Sequence, residues 1–131
     1  MKPFFLVVLI FLNFPVKASL NTDIIDDIMI QFKSGNTKEI AKSFASSLEL
    51  LIIDQEEVYS KAQSEQILKD FFTKNPPLKT TLIHKLLTNP NYKHGVFSLQ
   101  SKTGVYRVSI TYSKQRGSNV FLISELRIQR D

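Results

Sequence analysis

The chain contains no cysteine. That absence removes disulfides, zinc–thiolate centres, thiol catalysis and a lipid-modified N-terminus together. Glycine is scarce, with four in 131 residues, and none belongs to a glycine-rich phosphate loop. Histidine is limited to His84 and His94, which leaves no His–His–acid spacing for a metal ion. No nucleophile stands with a base in sequence reach. The acidic stretch Asp54-Gln55-Glu56-Glu57 lacks the glycine and the ligand order of a calcium loop, so it reads as a solvated turn. The sequence therefore predicts no metal, no cofactor and no catalytic constellation.

Long apolar runs are also missing, with one exception at the start. Met1-Lys2 is followed by nine consecutive apolar residues, Phe4 to Leu12, then Pro15 and Val16-Lys17-Ala18. A charged start, a short apolar run and a small residue before Ser19 make a secretory signal peptide cleaved after Ala18. The competing reading, a membrane anchor, needs about 20 apolar residues, roughly twice this run. The expectation is a signal peptide over 1–18 and a single domain over 19–131. The protein would be exported to the periplasm or beyond, with no membrane span after cleavage. Without disulfides, such a domain must be held by its core.

Cleavage would remove Lys2 and Lys17, so the formal charge of +5 overstates how basic the working protein is. The remaining basic residues are dispersed rather than clustered with aromatics, which argues against nucleic acid as a partner. Charge is nonetheless uneven. Residues 19–60 hold eight acids against Lys33, Lys38 and Lys42, whereas residues 92–131 hold seven basic residues against Glu125 and Asp131. An acidic helical layer beside a basic sheet accounts for this. A head-to-tail contact between copies, or an anionic partner for the sheet, is the functional alternative.

Thr22 is placed to cap a first helix, with Ile24, Ile25, Ile28, Met29 and Phe32 on one stripe. Ser34-Gly35-Asn36 ends it, Gly35 taking the left-handed position. Ile40, Ala41, Phe44, Ala45 and Leu48 repeat the same offsets and predict a second helix. A short buried strand follows over Glu49 to Asp54. Ser60-Lys61-Ala62-Gln63 is a capping box that opens the clearest helix, whose apolar face is Ile67, Leu68, Phe71 and Phe72. Asn75-Pro76-Pro77 stops it. Four strands complete the chain: Thr80–Thr88, Tyr92–Ser101, one from Gly104 to Tyr112, and Val120–Gln129. In the third of these, Tyr106, Val108, Ile110 and Tyr112 alternate strictly with Arg107, Ser109 and Thr111. The first set should meet the helices and the second should face outward. Val120-Phe121-Leu122-Ile123 is apolar on both faces, which a second subunit or a flap would explain.

This order predicts an α+β fold. Three helices pack on a curved antiparallel sheet of four main strands plus one short strand. It resembles the cone-shaped nuclear transport factor 2-like superfamily, in which a curved sheet wraps a helix around a pocket. Within it, the chain is similar to a family of small exported proteins of uncharacterised function from Bacteroidetes-type bacteria. The similarity runs through Phe32-Lys33-Ser34-Gly35-Asn36, Tyr59-Ser60-Lys61-Ala62-Gln63-Ser64-Glu65, Lys69-Asp70-Phe71-Phe72, Gly104-Val105-Tyr106-Arg107-Val108 and Ile123-Ser124-Glu125-Leu126-Arg127-Ile128. At Ile83-His84-Lys85-Leu86 the chain departs from the family pattern, which has a glycine soon after the histidine.

The resemblance implies a pocket. Enzymes of the superfamily, such as ketosteroid isomerase and scytalone dehydratase, set a carboxylate or histidine there against a tyrosine or acid donor. His84, His94, Asp54, Glu125, Tyr59, Tyr106 and Tyr112 are the residues of those types here, and none falls in a family catalytic motif. The candidate ligand-binding residues are therefore His84, Tyr59, Tyr106, Arg107, Glu125 and Arg127. His84 shares strand parity with Leu82 and Leu86, which would turn it toward the pocket. Arg107, Glu125 and Arg127 come together if the last two strands pair about the Lys114–Asn119 loop. A cross-strand Arg107–Glu125 bridge then competes with an anion site. Three functions stay open: a non-catalytic module for a small ligand or protein partner, a pocket isomerase or dehydratase, and a structural homodimer packed through the sheet.

Overall fold

A computed structural model describes residues 22–131; the expected signal peptide, 1–18, lies outside them. Helix α1 (Ile24–Ser34) opens at Asp23, not at Thr22, because the Asp23 carboxylate accepts the amides of Ile25 and Asp26, each at 2.9 Å. It ends at Gly35, whose φ of 66° is left-handed as expected. Helix α2 is shorter than the periodicity implied, Thr37–Ala41 only. Strand β1 (Phe44–Ile52) takes over the rest of that pattern. Phe44 and Leu48 are buried as strand residues, so apolar offsets that suited a helix are met by a strand with an irregular register.

The acidic turn is also corrected. The turn is confined to Ile53 and Asp54, and Gln55–Ser60 forms a further strand, β2, paired antiparallel with β1. Ser60 and Gln63 then cap helix α3 (Lys61–Lys74) reciprocally, at 3.1 and 3.0 Å, as the sequence predicted. Strands β3 (Pro77–Leu86), β4 (Tyr92–Ser101), β5 (Gly104–Lys114) and β6 (Phe121–Arg130) follow as a meander. Pro77 starts an edge strand, where a missing N–H costs nothing. One sheet of six strands results, ordered β2-β1-β6-β5-β4-β3, with β1 parallel to β6. The expected four-plus-one arrangement is replaced by this sheet, because β1 crosses over to pair with the last strand. Bulges in β3 and β6 bend it.

The helices lie on one face. Tyr106, Val108, Ile110 and Tyr112 are all buried there, with Leu126 and Ile128 from β6 and Phe97 and Leu99 from β4. Phe32 of α1 meets Phe72 of α3 and Phe97 of β4 edge to face, with centroids 5.5 and 5.3 Å apart. Such pairs add to the area term, so the aromatic cluster locks both helices to the sheet. Burial pushes the Tyr112 phenol well above its ordinary value, and it stays neutral. At the start of β6, Phe121 and Leu122 are half-buried; the Lys93 ammonium sits 4.8 Å from the Phe121 ring centre and covers part of it.

Ion pairs join the acidic N-terminal stretch to later strands of the sheet. Lys85 of β3 reaches Asp23 at 2.6 Å and Asp26 at 3.0 Å, and Arg127 reaches Glu56 at 3.0 Å. Burial would raise the Asp23 carboxyl, but the Lys85 bond and charge and two backbone amides together hold it below its ordinary 3.8. Lys85 is raised above 10.5 in turn, chiefly by its bonds to Asp23 and Asp26. A depressed carboxyl stabilises the fold above its unfolded value and loses that stability as pH falls through the folded one. For Lys85 the contribution is present below 10.5 and is lost only at still higher pH. Lys85→Met should therefore flatten the fall in urea midpoint as pH drops through 3.8 and below. Parallel pH curves for the two proteins would show that this pair contributes nothing.

Candidate functional site

The cone interior is filled by the aromatic cluster, but an open cleft of about 460 Å³ remains beside it, between the C-terminal half of α3 and the sheet. Ile67 and Phe71 of α3 form one apolar wall, and Ile52 and Ile53 at the β1–β2 turn form the other. Asp70, Lys74, Asn75, Gln55 and Arg130 complete the lining. The parallel β1–β6 pairing places Ile52 opposite Ile128 and so brings the β1–β2 turn alongside the end of β6.

Arg130 continues the helix-facing row of Leu126 and Ile128 and stands opposite Tyr106. Its guanidinium lies over the Tyr106 ring, 5.6 Å from the centre, with Nη1 3.4 Å from the phenol oxygen. Tyr106 donates to Asn75 Oδ1 at 2.9 Å, and the Thr103 hydroxyl donates to the same oxygen. Asn75 in turn caps α3, its backbone and side-chain N–H groups donating to Phe71 O at 2.8 and 2.9 Å. A buried tyrosine is thus fixed behind the cleft by a satisfied network.

Ile53 is the one strained residue of the wall. Its φ of 63° lies in the left-handed region, which a β-branched side chain rarely adopts. Hairpin turns with positive φ at this first central position usually place glycine there. The Ile53 amide is pinned to Ile128 O at 2.7 Å, and its side chain packs against the core.

The residues expected from the sequence scatter. Tyr106 is the one that touches the lining of the cleft, through Arg130 and Asn75, without lining it itself. Tyr59 is half-buried against the core on β2. His84 does not face the helices: a bulge between Leu82 and His84 reverses parity, so His84 stands opposite Val96, exposed on the outer face. Arg107 is outward as expected, but the β5–β6 register sets it opposite Gln129, and Glu125 opposite Thr111. The Arg107–Glu125 bridge is therefore replaced by Arg107–Asp131 at 3.9 Å and by Arg127 with Glu125 at 3.4 Å and Glu56 at 3.0 Å. His94 joins this outer row through Thr111 Oγ1, 2.9 Å away.

Chemically, the cleft offers apolar walls, two cations and one carboxylate, Asp70, with no histidine among its lining residues. Among the described residues, no group of three or more His, Asp or Glu is placed to hold a metal ion, and no helix is long and apolar enough to cross a membrane.

Helices on one face of a bent sheet, with a cleft left at the open end, define the cystatin-like, cone-shaped class of α+β domain. An uncharacterised protein with a cystatin-like fold from Caulobacter vibrioides is similar over 82% of this chain and 84% of its own, at 10% identity and a TM-score of 0.62. More narrowly, the chain belongs to a family described as a domain of unknown function, DUF4783, whose model matches residues 25–129. A DUF4783 protein from Bacteroides uniformis ATCC 8492 is similar over 83% of this chain and 98% of its own, at 20% identity and a TM-score of 0.77. One from Bacteroides fragilis YCH46 is similar over 83% and 100%, at 22% identity and a TM-score of 0.74. These likenesses establish the fold and nothing of a reaction. No curated protein matches the chain. The family resemblance read from the sequence is borne out, together with its α+β plan.

Proposed function

We propose that the protein is an exported, non-catalytic binding module that takes a small apolar or amphipathic ligand in the cleft between α3 and the sheet. The observation that carries this reading is the cleft itself, about 460 Å³ with isoleucine and phenylalanine walls. That volume falls within the roughly 300–1,000 Å³ of small-molecule sites. Isomerase or dehydratase chemistry needs a base near its working pKa facing a donor for the developing charge. Here Tyr106 is committed to Asn75, and both histidines lie on the opposite face of the sheet.

A panel of single-chain amphiphiles tests it by thermal shift. Ligand at about 100 times its Kd adds about 2.7 kcal/mol, which raises the Tm of a domain this size by several degrees. Ile67→Trp, which fills the cleft, should abolish the response. No rise with any member, or an equal rise in the filled variant, would overturn the reading. Export rests on the apolar run Phe4–Leu12 and on Ala18. The mass of the chain recovered from the periplasm or medium should correspond to a start at Ser19; recovery of the intact chain from the cytoplasm would contradict it.

A further inference from the structure

The two cations of the cleft say more than its apolar walls do. Arg107 and Arg127, on the outer face, each have a carboxylate within 4.0 Å, as does Lys85. Among the described residues, neither Arg130 nor Lys74 has one, although both line the cleft beside its isoleucine and phenylalanine walls. Arg130 gives one N–H to Tyr106 and lays its plane on the ring. A guanidinium carries five donors in a rigid fork, so most of them remain available for a planar anion. Two features oppose a negative ligand. Asp70, one turn before Lys74, is bonded only by the neutral Gln66 amide at 3.2 Å and keeps its negative charge. The C-terminal end of α3 carries partial negative charge, which Lys74 and the doubly bonded Phe71 carbonyl offset. The lining still holds two cations against one carboxylate.

The apolar wall is held there against a backbone preference. Ile53 at φ 63° occupies a position where glycine would be unstrained. Strain of this kind persists when the surrounding structure enforces it, and it clusters at ligand sites.

Resting on the reading of the cleft as a ligand site, we propose that its ligand is a single-chain amphiphile with an anionic head, a carboxylate or a phosphate. The head lies between Arg130 and Lys74, and the tail lies along Ile53, Ile67 and Phe71. The recognition is charge-assisted hydrogen bonding at one end and apolar burial at the other.

Isothermal titration of the purified protein tests this, with decanoate, decyl phosphate, 1-decanol and decyltrimethylammonium, each below its micellar concentration. Decanoate or decyl phosphate should bind at least about tenfold tighter than 1-decanol, and the stronger of the two names the head group. Arg130→Gln should bring that preference to within about threefold, Lys74→Gln should reduce it less, and Lys79→Gln on the β3 edge should leave it intact. Raising salt from about 0.01 to 0.15 M should shrink it in the unmodified protein, which needs no variant to fold. Equal binding of anionic and neutral probes would overturn the anionic head while the cleft reading stands. Preference for decyltrimethylammonium would overturn it by assigning the sign to Asp70. Binding of none would overturn both. Ile53→Gly should lower the affinity of every tail-bearing probe while changing Tm little, because relieved strain and lost burial oppose each other. An unchanged affinity would remove Ile53 from the site.

Discussion

Phe32→Ala should lower the stability of the fold by about 3–5 kcal/mol. The Phe32 side chain is fully buried on α1 and is the ring that touches both α3, through Phe72, and β4, through Phe97. Truncation removes the transfer energy of the ring and leaves a cavity that three elements would have to close together. The neighbours available to fill it are themselves aromatic and held edge to face, so collapse is limited. A domain of this size has about 5–15 kcal/mol in total, so the variant stands close to unfolding at ambient temperature. The check is a urea titration in which the midpoint falls and the slope is preserved. Ile30, on the same helix but 60% exposed, gives the internal control. Its alanine variant should stay within about 0.5 kcal/mol. A loss below about 1 kcal/mol at Phe32 would mean that the aromatic cluster does not hold the helices to the sheet.

Gly95→Ala should cost about 1–3 kcal/mol for the opposite reason, too much volume in place of too little. Gly95 lies on β4 directly under α1. A Cβ there would sit 2.7 Å from Ile25 Cγ2 and 2.8 Å from Cδ1. Ile25 is fully buried, and its branched side chain has few rotamers to escape into. The helix must therefore lift from the sheet. Lys85 is paired with Gly95 across the β3–β4 ladder and holds Asp23 and Asp26 of the same helix, so lifting α1 also loosens those ion pairs. A double-mutant cycle isolates the clash: with Ile25→Ala in place, Gly95→Ala should cost much less than it does alone. Additive losses would show that the close approach of α1 to β4 is not what requires glycine.

How much of this was legible depended on whether local chemistry and tertiary pairing agreed. Helix α3 was readable because Ser60 and Gln63 start it and Asn75-Pro76-Pro77 end it, signals that need no partner. Strand β5 was readable because its alternation is strict, and β4 and β6 because polar turns join them to it as consecutive hairpins. Strand β1 was hidden, since Ile40, Ala41, Phe44, Ala45 and Leu48 fit a helical stripe equally well, and only pairing with β6 decides for a strand. Strand β2, Gln-Glu-Glu-Val-Tyr-Ser, is an edge strand in which only Tyr59 is half-buried, so it carries little apolar signal. The cleft was illegible for the same reason. Ile52, Ile53 and Arg130 lie far apart in sequence and meet through the parallel β1–β6 crossover. One clue was available: Leu126, Ile128 and Arg130 share parity, so the last arginine continues a core-facing row. The arginines singled out from the sequence, Arg107 and Arg127, fall on the other face.

The central claim is that the cleft between α3 and the β1–β2 turn is a ligand site. The most direct measurement is an amide-resolved NMR titration of the protein with decanoate. The account predicts saturable shifts confined to residues 52–55, 67–75, 103–106 and 130. Shifts confined to the outer face, around Arg107, Thr111, Glu125 and Arg127, or no saturable shift at all, would contradict it.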